Sequence, residues 1–258
     1  MAVQPLIVIV GPTASGKTKL AIEIAKQFDG EIIAADSRTV YKDLDIGTAK
    51  PSREEQQGVP HFGLDLVAPG EPFSAADFKK YAEQKIAEIR ARGHVPMLVG
   101  GTGLYVDGVI FDYQFGAQAD MLERQKYNDL SIEALQQILT EKHIELPGNK
   151  NNRRHLVRAL EQGGINQQRS RRPIDNTYII GIETPAKLLR QRIEERATQL
   201  FSAGMVEEAQ KMGQKYGWDS EAMTGNIYKL VRQFEQGILT KEQLVEKFTT
   251  ADWRLAKR

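Results

Sequence analysis

Leu6-Ile7-Val8-Ile9-Val10-Gly11-Pro12-Thr13-Ala14-Ser15-Gly16-Lys17-Thr18 is the stretch whose reading decides the fold of this 258-residue chain. Leu6 to Val10 is a short apolar, β-branched run that reads as a buried strand, and Thr18 to Phe28 is amphipathic and reads as a helix. Between them, Gly11 to Thr18 match the pattern G-x-x-x-x-G-K-[ST] in the strand–turn–helix context that gives it meaning. Such a loop turns its backbone N–H groups inward around phosphate oxygens, with a helix N-terminus behind them. Gly11, Pro12, Thr13, Ala14, Ser15, Gly16, Lys17 and Thr18 are therefore expected to grip a diphosphate or triphosphate, Lys17 adding charge and Thr18 holding Mg²⁺. The loop sets the chain among nucleotide-binding, ATP-binding folds.

Outward from this loop, short apolar runs alternate with amphipathic stretches: Glu31 to Ala35, Ala75 to Arg92, Val95 to Val99. That rhythm predicts an α/β fold, a P-loop NTPase-like parallel sheet flanked by helices. Ser74 is placed as the N-cap of the helix from Ala75 and Gly93 as its stop, with Phe78, Tyr81, Ile86 and Ile89 among the charges. From about Asp112 to Pro173 the β-branched runs vanish and Gln, Asn and Arg accumulate, which predicts a small helical insertion. Thr177 to Ile182 returns the chain to the sheet. The expected division is a discontinuous core over 1–112 and 174–258, with the insertion over 113–173. Thr184-Pro185 is expected to open a further helix that Gly204 closes. Thr240 with Gln243 forms a capping box for another, striped by Leu244, Phe248, Ala251 and Leu255. That helix is still running at Arg258, so a further C-terminal segment is expected.

Composition removes several alternatives. The 41% of apolar residues suffice for a core, and 35 Lys and Arg against 34 Asp and Glu leave a formal charge of only +1. With no Cys, disulfides, zinc–thiolate sites and thiol nucleophiles are excluded. No apolar run is long enough for a signal or a membrane span, and the expectation is a cytoplasmic, monomeric enzyme with no membrane partner. Charge is local instead. Lys150, Arg153, Arg154, Arg158, Arg169, Arg171 and Arg172 stand against the single acid Glu161, a lopsidedness that marks a polyanion footprint more often than a solvated face. His155 lies inside that patch without a second His or Cys spaced for a metal.

The carboxylate expected of a P-loop site is absent from the end of Val95 to Val99, which runs into Gly100-Gly101-Thr102-Gly103. It stands instead at Asp36, after Glu31 to Ala35, in the crevice above the strand C-termini. Asp36 is the candidate general base, with a turn or capping aspartate as the plainer alternative.

At this point the sequence resembles a known family. Asp36-Ser37-Arg38-Thr39-Val40-Tyr41-Lys42-Asp43-Leu44-Asp45-Ile46-Gly47-Thr48-Ala49-Lys50-Pro51 is similar to the signature of the tRNA dimethylallyltransferases. So are Phe73 to Phe78, Leu98 to Tyr105, Arg153 to Glu161 and Leu255 to Arg258, in the family's order along the chain. Thr39, Ile227 and the pair Asp252-Trp253 depart from the usual Gln, Gly and Thr-Arg. The resemblance implies transfer of a dimethylallyl group from dimethylallyl diphosphate to the exocyclic amine of the adenosine 3′ of the anticodon, with Mg²⁺ on Thr18. Asp36 and Thr102 would handle the amine and Arg196 the diphosphate. Contacts to the tRNA anticodon stem-loop would come from Asp36, Ser37, Arg38, Thr39, Thr102, Arg124, Arg154, His155 and Arg158. Arg192 and Arg196 lie four residues apart on one predicted helix face, a like-charge pair that favours an anion between them unless Glu183, Glu194 or Glu195 neutralise them.

Two other readings stay open on the residues alone. One is a small-molecule P-loop kinase with the insertion as lid, against which the misplaced carboxylate and the length beyond residue 183 count. The other is a non-catalytic RNA-binding module, against which the intact Lys17, Thr18 and Asp36 count.

Overall fold

The computed structural model describes residues 3–116, 121–163 and 169–257. Five parallel strands form one sheet in the order β3-β2-β4-β1-β5: β1 (Leu6–Val10), β2 (Gly30–Ala35), β3 (His61–Phe62), β4 (Val95–Gly100) and β5 (Thr177–Gly181). The strand that feeds the loop, β1, is flanked by β4 and β5. The α/β fold with its parallel sheet is as the alternation requires. The unforeseen β3 has only two residues, too few for any periodicity to mark.

The chain divides into two compact units, Met1–Val106 with Asp175–Arg258, and Asp107–Ile174. The first boundary falls earlier than the expected 112/113, because the helix α3 (Gly103–Ile110) carries the chain from one unit into the other.

In unit 1, α1 (Lys17–Phe28) buries Ala21, Ile22 and Ala25 against Ile9, Ile32, Val95 and Met97 of the sheet. The helix α2 (Ala75–Ala91) is opened by a complete capping box: Ser74 Oγ accepts from Asp77 N, and the Asp77 carboxylate accepts from Ser74 N. Phe78, Ala82, Ile86 and Ile89 are its buried positions. After β5 come α7 (Ala186–Ser202), α8 (Met205–Tyr216), a 3₁₀ turn (Glu221–Thr224), α9 (Asn226–Glu235) and α10 (Lys241–Ala256).

Two sequence expectations here need correction. Pro185 is the N-cap residue of α7, with extended ψ of 134°, and not its first helical residue. Gly204, at φ 97°, follows the C-cap Ala203 and closes α7 as expected, and the same left-handed glycine is also the N-cap of α8. In α10 the Thr240–Gln243 box is present, but Leu255 is 51% exposed, and the last buried side chain after Leu244 and Phe248 is Asp252.

Unit 2 contains α4 (Met121–Asn128), α5 (Ile132–Glu141) and α6 (Arg153–Gln162). Leu135 and Leu139 of α5 meet Leu156, Val157 and Leu160 of α6 in a separate small core.

Candidate active site

At the end of β1 the chain must turn within a few residues into α1. Ala14 (φ 60°) and Gly16 (φ 93°) take left-handed backbone to do so. Gly16 is the N-cap of α1 and brings no side chain to it, which leaves the first-turn N–H groups facing the loop. A Cβ on Gly11 would lie 3.1 Å from Ile182, so the loop is seated closely on the end of β5. Lys17 Nζ folds back and donates to the carbonyls of Gly11 (2.9 Å) and Pro12 (2.7 Å). Burial lowers its pKa to about 8, with Asp36 opposing the shift and Arg196 adding to it. Thr18 is exposed in the first turn of α1.

The helix α7 supplies the other cations. Arg192 Nη1 donates to the Ser15 carbonyl at 3.2 Å. Arg196 Nη1 donates to Thr13 Oγ1 and lies 3.6 Å from Asp252 Oδ2. The nearby acids that could have neutralised them pair elsewhere, Glu194 with Arg190 and Glu195 with Gln191. The loop, α1 and α7 border an open cleft of about 630 Å³ lined by Ser15, Lys19, Glu23, Arg192, Glu195 and Arg196 among others.

Facing Lys17 is the turn after β2. Gly100 lets it form, because a Cβ there would sit 2.1 Å from Ala35 O. An added Cβ on Gly101 would be 3.9 Å from Lys17 Nζ, which shows how near the end of β4 comes to the lysine. Thr102 N donates to Ala35 O (3.2 Å), and Thr102 Oγ1 accepts from Ser37 N (3.0 Å). The hydroxyl at 102 thus fixes the Asp36–Ser37 peptide. Asp36 does have the turn role as well: its Oδ1 accepts from Arg38 N at 2.8 Å. Arg38 reaches Thr224 Oγ1 (2.9 Å), tying this turn to the 3₁₀ turn. Thr39 is buried at 5% exposure, its hydroxyl directed to Asp36 O.

Several residues that sequence reading passed over hold the segment after Asp36. The Glu208 carboxylate accepts three backbone N–H groups, from Asp45 (2.8 Å), Ile46 (2.7 Å) and Gly47 (2.8 Å). Lys50, with 5% of its side chain exposed, pairs with Asp45 and Asp65 and donates to Tyr41 O. Tyr228 fills the space beside Gly47, where a Cβ would meet its hydroxyl at 2.7 Å. Buried Tyr105, stacked on Phe78 at 4.1 Å, has its pKa raised by burial first and then by the charges of Tyr41 and Asp36. The run Met205 to Glu208 carried no motif, and only the pattern of unsatisfied N–H groups at 45–47 could have called for a carboxylate there.

In unit 2 the basic patch is partly committed. Arg153 Nη1 donates to the carbonyls of Asn128 and Leu130, joining α6 to the turn before α5. Arg124 (3.2 Å) and Arg158 (3.1 Å) both pair with Glu161, whose side chain is only 1% exposed. Arg169 donates to Tyr113 Oη at 2.6 Å. His155 is exposed on α6, and the Arg154 side chain and Arg258 lie outside the described residues. Among the described residues no cluster of His, Asp and Glu is arranged to hold a metal by itself, and no helix is long and apolar enough to cross a membrane.

A parallel sheet in which an interior strand ends in a glycine-rich loop, with a basic helix laid beside it, defines a P-loop α/β protein. The model of the IPP transferase family matches residues 39–258, and the chain belongs to that family. It is 39% identical over 267 residues to the tRNA dimethylallyltransferase of Macrococcus caseolyticus, covering 98% of this chain and 86% of that one. The solved full-length tRNA isopentenylpyrophosphate transferase of Bacillus halodurans is similar with a TM-score of 0.75 at 36% identity, over 99% of this chain and 85% of that one. A eukaryotic dimethylallyltransferase solved acting on tRNA shares the fold, with a TM-score of 0.81 at 21% identity over 99% of this chain and 68% of that one.

Proposed function

We propose that this chain transfers a dimethylallyl group from dimethylallyl diphosphate to tRNA, at the exocyclic N6 of the adenosine 3′ of the anticodon. It is a prenyltransferase of the tRNA dimethylallyltransferase kind. The observation that carries the chemical reading is the opposition, across one crevice, of a half-buried Lys17 and the carboxylate of Asp36, close enough for the carboxylate to act on the lysine's charge.

Breaking the allylic C–O bond builds negative charge on the departing diphosphate. Lys17, the loop N–H groups, Arg192 and Arg196 converge where that charge would grow. Mg²⁺, which the Thr18 hydroxyl would hold together with diphosphate oxygens and water, supplies further neutralisation when bound. An exposed threonine, with no carboxylate cluster among the described residues, fits an ion that keeps most of its water. The nucleophile is an amine whose lone pair is delocalised into the purine, and it becomes acidic as the C–N bond forms. One Asp36 oxygen is engaged by Arg38 N, which orients the carboxyl and leaves the other oxygen to take the proton. Thr102 Oγ1, held against Ser37 N, has a proton to donate and lone pairs to offer at the same spot. The exposed cations of unit 2 and His155 on α6 suit the phosphates of a stem-loop whose target base is turned out of its stack. A single soluble chain in the cytoplasm suffices for this reaction.

The test is nucleoside mass spectrometry of tRNA incubated with the protein, dimethylallyl diphosphate and Mg²⁺. The expected result is N6-dimethylallyladenosine at the position 3′ of the anticodon. Loss of γ-phosphate from ATP to a small acceptor, with no prenyl group entering RNA, would favour the kinase reading and overturn this one.

A further inference from the structure

Asp252 is out of place on the buried face of α10. Leu244 and Phe248 cover that face, yet one turn later a carboxylate side chain only 12% exposed takes the position that an apolar side chain would fill. Burying a carboxylate costs free energy unless a cation answers it, and burial does push its pKa upward against the opposing effect of Arg196. The cation paired with it is Arg196, at 3.6 Å.

That separation is informative. At 3.6 Å the contact is a charge interaction and not a hydrogen bond. The direction of the guanidinium is set elsewhere, by the hydrogen bond from the same Nη1 to Thr13 Oγ1 inside the loop. Asp252 therefore adds little to where Arg196 points. It changes how positive Arg196 looks to an anion in the loop. Around that loop stand Lys17, Arg192 and Arg196; Asp36 acts on the lysine and Asp252 on Arg196, while Glu23 and Glu195 line the same cleft, Glu195 accepting from Gln191. Asp36 faces the lysine from across the crevice, whereas Asp252 reaches the arginine at Nη1, the nitrogen that also donates to Thr13.

We propose that Asp252 is a counter-charge that loosens the loop's hold on diphosphate, acting through Arg196, so that the diphosphate product leaves readily. This rests on the reading of the loop as the diphosphate cradle. Three cations around a multiply charged product oppose its release, and a buried negative charge beside one of them weakens that grip without blocking the site. Asp252 touches no reacting atom and is a tuning residue, not a catalytic one.

Calorimetric titration of inorganic diphosphate, with Mg²⁺, into the full chain tests it. Asp252→Asn keeps shape and removes charge, and its diphosphate dissociation constant should fall by about 3- to 10-fold, with a matching decrease in the diphosphate off-rate. In an Arg196→Gln background the same substitution should change the constant by less than about twofold, since the route is through the arginine. An unchanged or raised constant in Asp252→Asn overturns the proposal, the latter because Asp252 would then be orienting Arg196; a full gain that persists without Arg196 overturns it too. Asp252→Thr, checked with the others by thermal melting, repeats the measurement should the amide disturb packing. Lys17→Ala separates the two layers. Wild-type binding there would sink the cradle reading itself, whereas lost binding there with no gain in Asp252→Asn sinks the role of Asp252 alone.

Discussion

The crevice of unit 1 and the helical unit 2 both gather positive charge, but they hold it differently. Around the loop, each cation is fixed by main chain or by a hydroxyl: Lys17 on two carbonyls, Arg192 on Ser15 O, Arg196 on Thr13. In unit 2 Arg153 and Arg169 are fixed in the same way, but Arg124 and Arg158, on α4 and α6, share a single buried acid, Glu161, and His155 is exposed beside them. The first arrangement fixes atoms to a geometry that bond-breaking needs. The second suits a surface that follows a flexible phosphate backbone. Substitutions should therefore separate rate from affinity according to unit.

The largest effect belongs to Asp36. Asp36→Asn retains an acceptor for the amine but not the basicity, so kcat should fall by about 10² to 10⁴ while the tRNA dissociation constant moves only a few-fold. Single-turnover rates at saturating tRNA and donor check this, and a near-wild-type rate would break the contrast between the units at its strongest point. Next is Lys17→Ala, expected to weaken diphosphate binding by about 10- to 100-fold in calorimetry. Wild type should show the same dependence through pH. In the empty loop Lys17 loses its proton as pH rises past about 8, so affinity should decline on the alkaline side, and the decline should vanish in the alanine variant.

Glu208→Ala would leave three N–H groups at 45–47 without their acceptor, and should lower stability by about 2 to 4 kcal/mol in denaturant unfolding. Glu208→Gln, which keeps one acceptor oxygen, should recover part of that loss. The smallest effect sharpens the unit 2 side. Replacing Arg154 and Arg158 together should reduce the log–log salt slope of tRNA binding by roughly one unit per lost phosphate contact, with diphosphate affinity unmoved. A fall in kcat on saturating tRNA would mean that unit 2 takes part in the chemistry after all.

Much of this was legible in the sequence because the decisive features are local. A strand, a glycine-rich turn and a helix are neighbours in the chain, so Gly11 to Thr18 announce themselves, and Asp36 follows from the strand before it. What the sequence could not deliver depends on distant partners. Spacing put Arg192 on one face with Arg196 and left its partner open between an anion and a nearby Glu, since nothing within its own helix reveals that Ser15 O lies beside it. The stripe on α10 put Leu255 inward, yet Leu255 is exposed and the buried position after Phe248 belongs to Asp252. The basic run in unit 2 read as a uniform footprint, whereas Arg153 is a staple between helices. Helical spacing gives the face a side chain leaves by, not the group it meets.

Those distant partners also set the order in which the crevice can be built. Arg196 and Thr13 are 183 positions apart, Arg38 and Thr224 are 186, and Glu208 closes on Asp45 across 163. The sheet itself is completed only when β5 pairs with β1, after all of unit 2 has been made. A nascent chain therefore emerges with its glycine loop formed by neighbours and its cationic wall still unsynthesised. High contact order of this kind slows folding, and the anion-gripping function arrives last, when α7 through α10 dock onto a loop that has been waiting since the first tens of residues.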